Sequence, residues 1–223
     1  TRRSSDLWQK APLTSLIILI QVLVFILMTL AGGSTNSQVL VEFGARYTPL
    51  IKAGEWWRLI TPGFVHIGLT HLVVNSVTLY FIGMYIENLF GHWRFLAIYL
   101  VSTLMGNLAS AVFLPQSISA GASTGIFGLF GAFLMLGLAF WDEPAIHSLA
   151  HQFLILVLLN LGTDILVPGI DLAGHLGGLL GGFFMAAVVG APRLGRMDLL
   201  KRFLSGTILI VTITAFLEMG LLK

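Results

Sequence analysis

Charged residues are missing from four long stretches of this chain, 11–41, 59–86, 95–141 and 172–192. An α-helix needs about 20 apolar residues to cross the roughly 30 Å hydrocarbon core of a bilayer. Each stretch is long enough for at least one such helix, and the third is long enough for two. Composition agrees: 57% of residues are hydrophobic, only 10% are charged, and mean hydropathy is +0.93. A soluble domain carries about a quarter charged residues. The pattern predicts an integral membrane protein. Cysteine is absent, which excludes a disulfide framework, a thiolate nucleophile and a cysteine metal site.

Pro12, Pro49, Pro62, Pro115, Pro144, Pro168 and Pro192 fall between apolar runs or in their first turn, where helices tolerate proline. The runs so divided are 13–31, 66–86, 94–113, 122–140, 147–162, 173–190 and 203–221, with the fifth short for a full span. Trp8, Trp93, Trp141 and the Trp56-Trp57 pair mark membrane interfaces. The first run is too long for a cleavable signal peptide and has no small-residue cleavage site. The chain starts at Thr1 and stops just after an apolar run, which leaves room for soluble domains beyond either end. With a cytoplasmic N-terminus, Arg2, Arg3, Lys10, Arg94, Arg193, Arg196, Lys201 and Arg202 share that side, against Arg46, Lys52, Arg58 and Lys223 on the other. Eight basic residues against four favour this orientation. The segment 32–60 mixes apolar residues with Glu42, Arg46, Lys52, Glu55 and Arg58, and reads as an interfacial element.

In this arrangement the second, fourth and sixth runs all start with polar residues in the outer leaflet. The second run carries His66, His71 and Asn75. His71 and Asn75 are four apart and share a helical face, continued by Thr78. Such a face looks into protein or trapped water, either to bond neighbouring helices or to serve a site. The fourth run opens with Gly121-Ala122-Ser123-Thr124-Gly125. Ser123 reads either as an N-cap or as a nucleophile beside the free N–H groups of a helix start. The sixth run holds Asp171-Leu-Ala-Gly-His175-Leu-Gly-Gly178. There Gly174, Gly178 and Gly182 form a small-residue face, for which Gly128, Gly131 and Ala132 are the counterpart. Packing the two runs brings His175 toward Ser123 as its base. Asp171 reads as the N-cap of the sixth run, with a triad role as the alternative. Phe127, one turn below Ser123, is a candidate to orient the imidazole. Gln21, Asn107 and Asn160 read as interhelical hydrogen-bonders. His92, His147 and His151 fall near the opposite interface. Three imidazoles, His66, His71 and His175, raise the question of zinc, but no HExxH stands on any run and no acidic general base lies near. No cofactor and no metal is expected.

Taken in order, these residues resemble the rhomboid family of intramembrane serine proteases. The resemblance covers about 57–182. It rests on Trp57-Arg58, on Thr61-Pro62-x-Phe64-x-His66-x4-His71-x3-Asn75, on Glu87-x3-Gly91, on Gly121-Ala122-Ser123, and on Ala173-Gly174-His175-x-Gly177-Gly178. It implies Ser123 as nucleophile and His175 as general base, acting as a dyad. The oxyanion would be held by the Ser123 N–H with the side chains of His71 and Asn75. His66 would be structural, Phe127 would lie against the catalytic histidine, and Arg58 and Glu87 would stabilise the first loop and the inner end of the second helix. Gly121, Gly178 and Trp57 would support the site. Six core helices plus a C-terminal seventh resemble the six-plus-one subgroup. One departure stands out: the family reads Gly-x-Ser-Gly, and here Thr124 follows the serine.

The fold expected is an all-α polytopic bundle of six core transmembrane helices plus a seventh, with an interfacial first loop. Residues 1–12 would be a cytoplasmic segment, 13–190 the catalytic core, and 191–223 a basic cytoplasmic loop and the seventh helix. The expected function is intramembrane cleavage of transmembrane proteins in a multi-pass, bacterial-type cell membrane. Expected partners are those substrates and the lipid bilayer, and no nucleic acid. Two alternatives remain. One is a non-catalytic rhomboid-like binder of membrane clients, although such relatives lose the Ser or His. The other is a transporter, although here the polar zone stops midway across the membrane.

Overall fold

The structure, a computed structural model, describes residues 11–222. Trp8, Arg2, Arg3, Lys10 and Lys223 lie outside the described residues. Among those described there are nine α-helices. α1 is Pro12–Leu30, α2 Ser37–Glu42 and α3 Thr48–Lys52. Two 3-10 turns, Trp56–Leu59 and Thr61–Phe64, lead into α4, Gly68–Phe90. α5 is His92–Phe113, α6 Ser123–Ala139, α7 Pro144–Leu166, α8 Leu172–Val189 and α9 Leu199–Leu217. Six helices are long and apolar enough to cross a membrane: α1, α4, α5, α7, α8, and α9 with its continuation to Leu221. The bundle is all-helical and polytopic, as the charge pattern predicts.

Two sequence boundaries need correction. The fifth run is not short: α7 has 23 residues, starts with Pro144 in its first turn and carries Thr163 and Asp164 to its far end. Polar residues at its end had truncated the apolar run without ending the helix. Among the described residues the apolar helix that falls just short of span length is α6, with 17 residues. His66 also precedes α4 rather than lying on it, since the chain is extended at Val65 and Ile67 before Gly68 opens the helix.

Helix α6 sits at the centre, packed by α4, α5, α7 and α8, and is buried on every side from Thr124 to Phe133. A helix apolar all round is stable only in such a place. Its seam with α8 is made by backbone meeting backbone. A Cβ on Gly178 would stand 2.1 Å from the Thr124 carbonyl oxygen, and one on Gly182 would stand 2.0 Å from that of Gly128. A Cβ on Gly131 would stand 2.1 Å from the Leu179 carbonyl oxygen. Glycine at these positions lets the helices approach closely, which supplies packing where no hydrophobic effect separates helix from lipid.

At the other end of the bundle, the buried Glu87 of α4 accepts hydrogen bonds from Leu13 N, Thr14 N and Thr14 Oγ1 at 3.0, 2.8 and 2.7 Å. This carboxylate satisfies the orphan N–H groups at the start of α1. Its other partner is His92 Nδ1 at 2.6 Å. Gly91, at φ +85°, makes the reversal from α4 into α5.

The seam predicts an asymmetry between two glycines. Gly182→Ala drives a methyl into backbone that cannot yield, at a cost of about 1–3 kcal/mol or more. Gly162→Ala on α7 meets nothing within 4 Å and gains helix propensity of about 1 kcal/mol. Thermal unfolding in detergent should show a lowered midpoint for the first variant and an unchanged or raised one for the second.

Candidate active site

The chain enters the site through the 3-10 turns and the segment 65–67, and leaves it through the ends of three helices. Ser123 is the first residue of α6, and no side chain caps that helix start. Its early N–H groups are therefore free to point at a ligand. His175 lies in the first turn of α8, whose N-cap is Asp171. The α6–α8 seam brings the two together: Ser123 Oγ and His175 Nε2 are 2.8 Å apart. The imidazole lies flat against Phe127, with ring centroids 4.2 Å apart and planes 11° from parallel. Phe127 is four residues after Ser123, so the same helix face carries the hydroxyl and the ring.

The dyad expected from the sequence gives His175 no carboxylate partner beyond the Asp171 alternative, whereas in the structure Asp164, in the last turn of α7, has Oδ2 2.6 Å from His175 Nδ1. The two side chains are 6% and 10% exposed. Asp171, the alternative, is engaged elsewhere. It caps Gly174 N at 2.8 Å, accepts from Ser119 Oγ at 2.8 Å and from Ser110 Oγ, and stands 3.9 Å from the Arg46 guanidinium. An isolated acid eleven positions before the histidine gives no periodic or motif signal. A lone acidic residue near the end of an apolar run was the one available hint.

His71 and Asn75 flank the loop just before the serine. A Cβ on Gly121 would stand 2.6 Å from the His71 ring and 3.4 Å from Asn75 Nδ2. Gly121 has φ +140°, so its backbone passes these side chains where no other residue fits. The Asn75 amide nitrogen is buried without a hydrogen-bond partner, an expensive state for a donor inside protein. Thr78 instead donates to Val74 O within its own helix. His66 accepts a hydrogen bond from Ala122 N at 3.3 Å, tying the segment before α4 to the residue before the serine.

Thr124 turns away from Ser123 Oγ and His175. Its side chain lies over Gly106 of α5, where an added Cβ would meet Thr124 Cβ at 2.7 Å and the Gly174 carbonyl oxygen at 2.6 Å. The bulk that follows Ser123 is housed between α5 and α8, in space left by a glycine.

The first loop is pinned by two arginines. Arg58 pairs with Glu55 at 2.6 Å and donates to Val41 O and Ala45 O at 2.6 and 2.9 Å. Arg46, expected from the sequence as one charge of an interfacial segment, is fully buried. It exchanges backbone hydrogen bonds with Ser119 and donates to Leu114 O at 2.8 Å and Ser117 Oγ at 2.7 Å. Burial pulls its pKa below the ordinary value, and Asp171 pushes it back up. Of the other polar residues, Gln21 bonds Tyr99 and Gly63 O, and Asn107 bonds Leu59 O. Asn160 is not an interhelical contact, since it donates to Leu156 O of its own helix. Trp56, Trp57, Trp93 and Trp141 are exposed, and the Trp57 carbonyl accepts from Thr61 Oγ1 at 3.1 Å.

Comparison with known proteins gives this arrangement a lineage. The family model described as the Rhomboid domain matches residues 53–192. The chain is 43% identical over 212 residues to Rhomboid protease GluP of Bacillus subtilis (strain 168), covering 95% of this chain and 41% of that protein. It is 38% identical over 158 residues to RHOMBOID-like protein 4 of Arabidopsis thaliana, covering 70% and 40%. To Rhomboid-like protease 1 of Toxoplasma gondii it is 37% identical over 153 residues, covering 66% and 52%. The chain thus spans about two fifths to one half of the length of these relatives. The matched segment holds Arg58, both helix starts and the glycine seam. This multi-pass membrane protein belongs to the rhomboid family.

Proposed function

We propose that this chain is the core of an intramembrane serine endopeptidase that cleaves transmembrane proteins in or near their spanning segments. The observation that carries the reading is the 2.8 Å approach of His175 Nε2 to Ser123 Oγ, with the unpartnered Asn75 amide one short loop away. In the acylation step Ser123 Oγ attacks the scissile carbonyl carbon while His175 Nε2 takes the hydroxyl proton. The carbonyl oxygen becomes an oxyanion held by Ser123 N–H, Asn75 Nδ2 and His71. When the intermediate collapses, the C–N bond breaks and His175 returns the proton to the leaving amine. Water, deprotonated by the same nitrogen, then hydrolyses the acyl-serine. The bound segment has to be unwound, because a helical peptide bond is shielded and already hydrogen-bonded.

Ser123, His175 and Asp164 lie at the same end of α6, α8 and α7. With the N-terminus cytoplasmic, as the distribution of Lys and Arg favours, that end is the extracytoplasmic one. Below it, α6 is wholly apolar and α8 continues in glycine and apolar residues. This supports a reaction chamber open to one side.

A fluorescent fluorophosphonate tests the reading on detergent-solubilised protein. Wild type should label, and Ser123→Ala and His175→Ala should not. A folded wild type that stays unlabelled moves the chain to the client-binding alternative. Asn75→Ala removes one oxyanion donor and should lower the labelling rate by about 10²–10³-fold, with thermal stability retained because the amide has no native partner to lose. Thr124→Gly should leave labelling little changed, because that side chain faces Gly106. It should still lower stability by about 1–2 kcal/mol through a lost buried methyl and a helical glycine.

A further inference from the structure

We propose that the end of the bundle opposite Ser123 holds a binding site for the phosphate headgroup of one anionic phospholipid, whose acyl chains lie along α9. Binding there does not depend on whether the chain cleaves peptides. A cavity of about 480 Å³ lies between the start of α5, the end of α8 and the start of α9. Three arginines line it: Arg94 from α5, Arg196 from the loop between α8 and α9, and Arg202 from α9. Among the described residues no Asp or Glu lines the cavity, and none of the three arginines is in an ion pair. Asp198 instead caps Lys201 N at 3.0 Å, and Glu87 is taken up by Thr14 and His92. Three like charges around one cavity repel each other, and an anion between them relieves all three at once.

Two of the arginines are already held in place. Arg94 Nε donates to Val189 O at 3.2 Å and Arg202 Nε to Val188 O at 2.9 Å. These are last-turn carbonyls of α8, the orphan acceptors of a helix end. Gly190, at φ +68°, turns the chain out of that helix, and a Cβ there would stand 3.8 Å from Arg202 Cζ. With Nε fixed on a carbonyl, each guanidinium keeps its terminal nitrogens, which have no hydrogen-bond partner among the described residues. Such a fork matches two oxygens of a phosphate, and little side-chain freedom is left to lose on binding.

The surface beside the cavity sets the ligand class. Leu199 lines the cavity and is 76% exposed, and Phe203, one turn deeper on the same face of α9, is 71% exposed. Ile210 carries this exposed apolar face further along the helix. Trp93, beside Arg94, is also exposed and is of the type that sits at headgroup level. A cationic cavity that opens onto an apolar stripe fits an anion with chains attached, as basic pockets between membrane helices do for lipid headgroups. A free phosphate would satisfy the arginines and leave the stripe unused.

The test titrates the protein in a neutral detergent, at constant ionic strength, with phosphatidylglycerol, with phosphatidylcholine of the same chains, and with inorganic phosphate. The thermal unfolding midpoint is the readout. Phosphatidylglycerol should raise it to a plateau, and the other two should leave it where it was. Arg196→Gln should move half-saturation to about 10–100-fold more lipid, the loss of one charge-assisted contact. Its lipid-free midpoint should match wild type, because the Arg196 side chain has no hydrogen-bond partner among the described residues. Lys201→Gln removes the same charge outside the cavity and should leave half-saturation little changed. An equal loss in both variants means diffuse attraction to a basic surface, and an equal response to phosphatidylcholine means general solvation by lipid; either overturns the site. A rise with inorganic phosphate that matches the rise with phosphatidylglycerol overturns the lipid assignment in favour of a soluble phosphate.

Discussion

The close approach of α6 and α8 is the constraint on which the rest of the structure depends. Two backbones meet where Gly178 and Gly182 lie on the carbonyls of Thr124 and Gly128. With any side chain at those positions the helices would stand further apart. A shift of even 1 Å at the seam would carry His175 out of hydrogen-bond reach of Ser123, and misplacement on that scale would be costly to the proposed chemistry. The adaptation to Thr124 belongs to the same packing problem: a residue that adds bulk next to Ser123 is matched by Gly106 on the facing helix.

The second organising feature is how irregular backbone is sustained inside a helical bundle. Loops at membrane depth are tolerated only where protein satisfies their peptide groups. Here the carbonyls of the segment 41–63 are taken up by side chains. Arg58 serves Val41 and Ala45, Thr61 serves Gly44, Asn107 serves Leu59, and Gln21 with Tyr99 serves Gly63. These buried polar residues hold the segment that leads to His66, and His66 in turn holds Ala122 beside the serine.

Such features were unequally legible in the sequence. The spans were legible because hydrophobic run length reflects bilayer thickness directly. The small-residue stripe on α8 was legible because its four-residue spacing maps onto one helix face. Ser123, His175, His71 and Asn75 drew notice as polar residues in apolar surroundings, each at a helix start or on one face. What was missed depends on tertiary register. Asp164 ended an apolar run and looked like its boundary, and only the crossing of α7 beside α8 turns it toward His175. Arg46 looked like one loop charge among several, although its partners come from the far side of the bundle. Gly106 had no visible link to Thr124, because nothing local ties two residues on separate helices.

The burial of Arg46 has a consequence for how the protein is made. Its hydrogen-bond partners Leu114 and Ser117 follow it by 68 and 71 residues, so at 5–20 residues per second its guanidinium waits about 3–14 s before they are synthesised. During that time a charged side chain destined for full burial has only Thr48, two residues on, and its surroundings to satisfy it. The first loop therefore closes late, after α4 and α5 have been made.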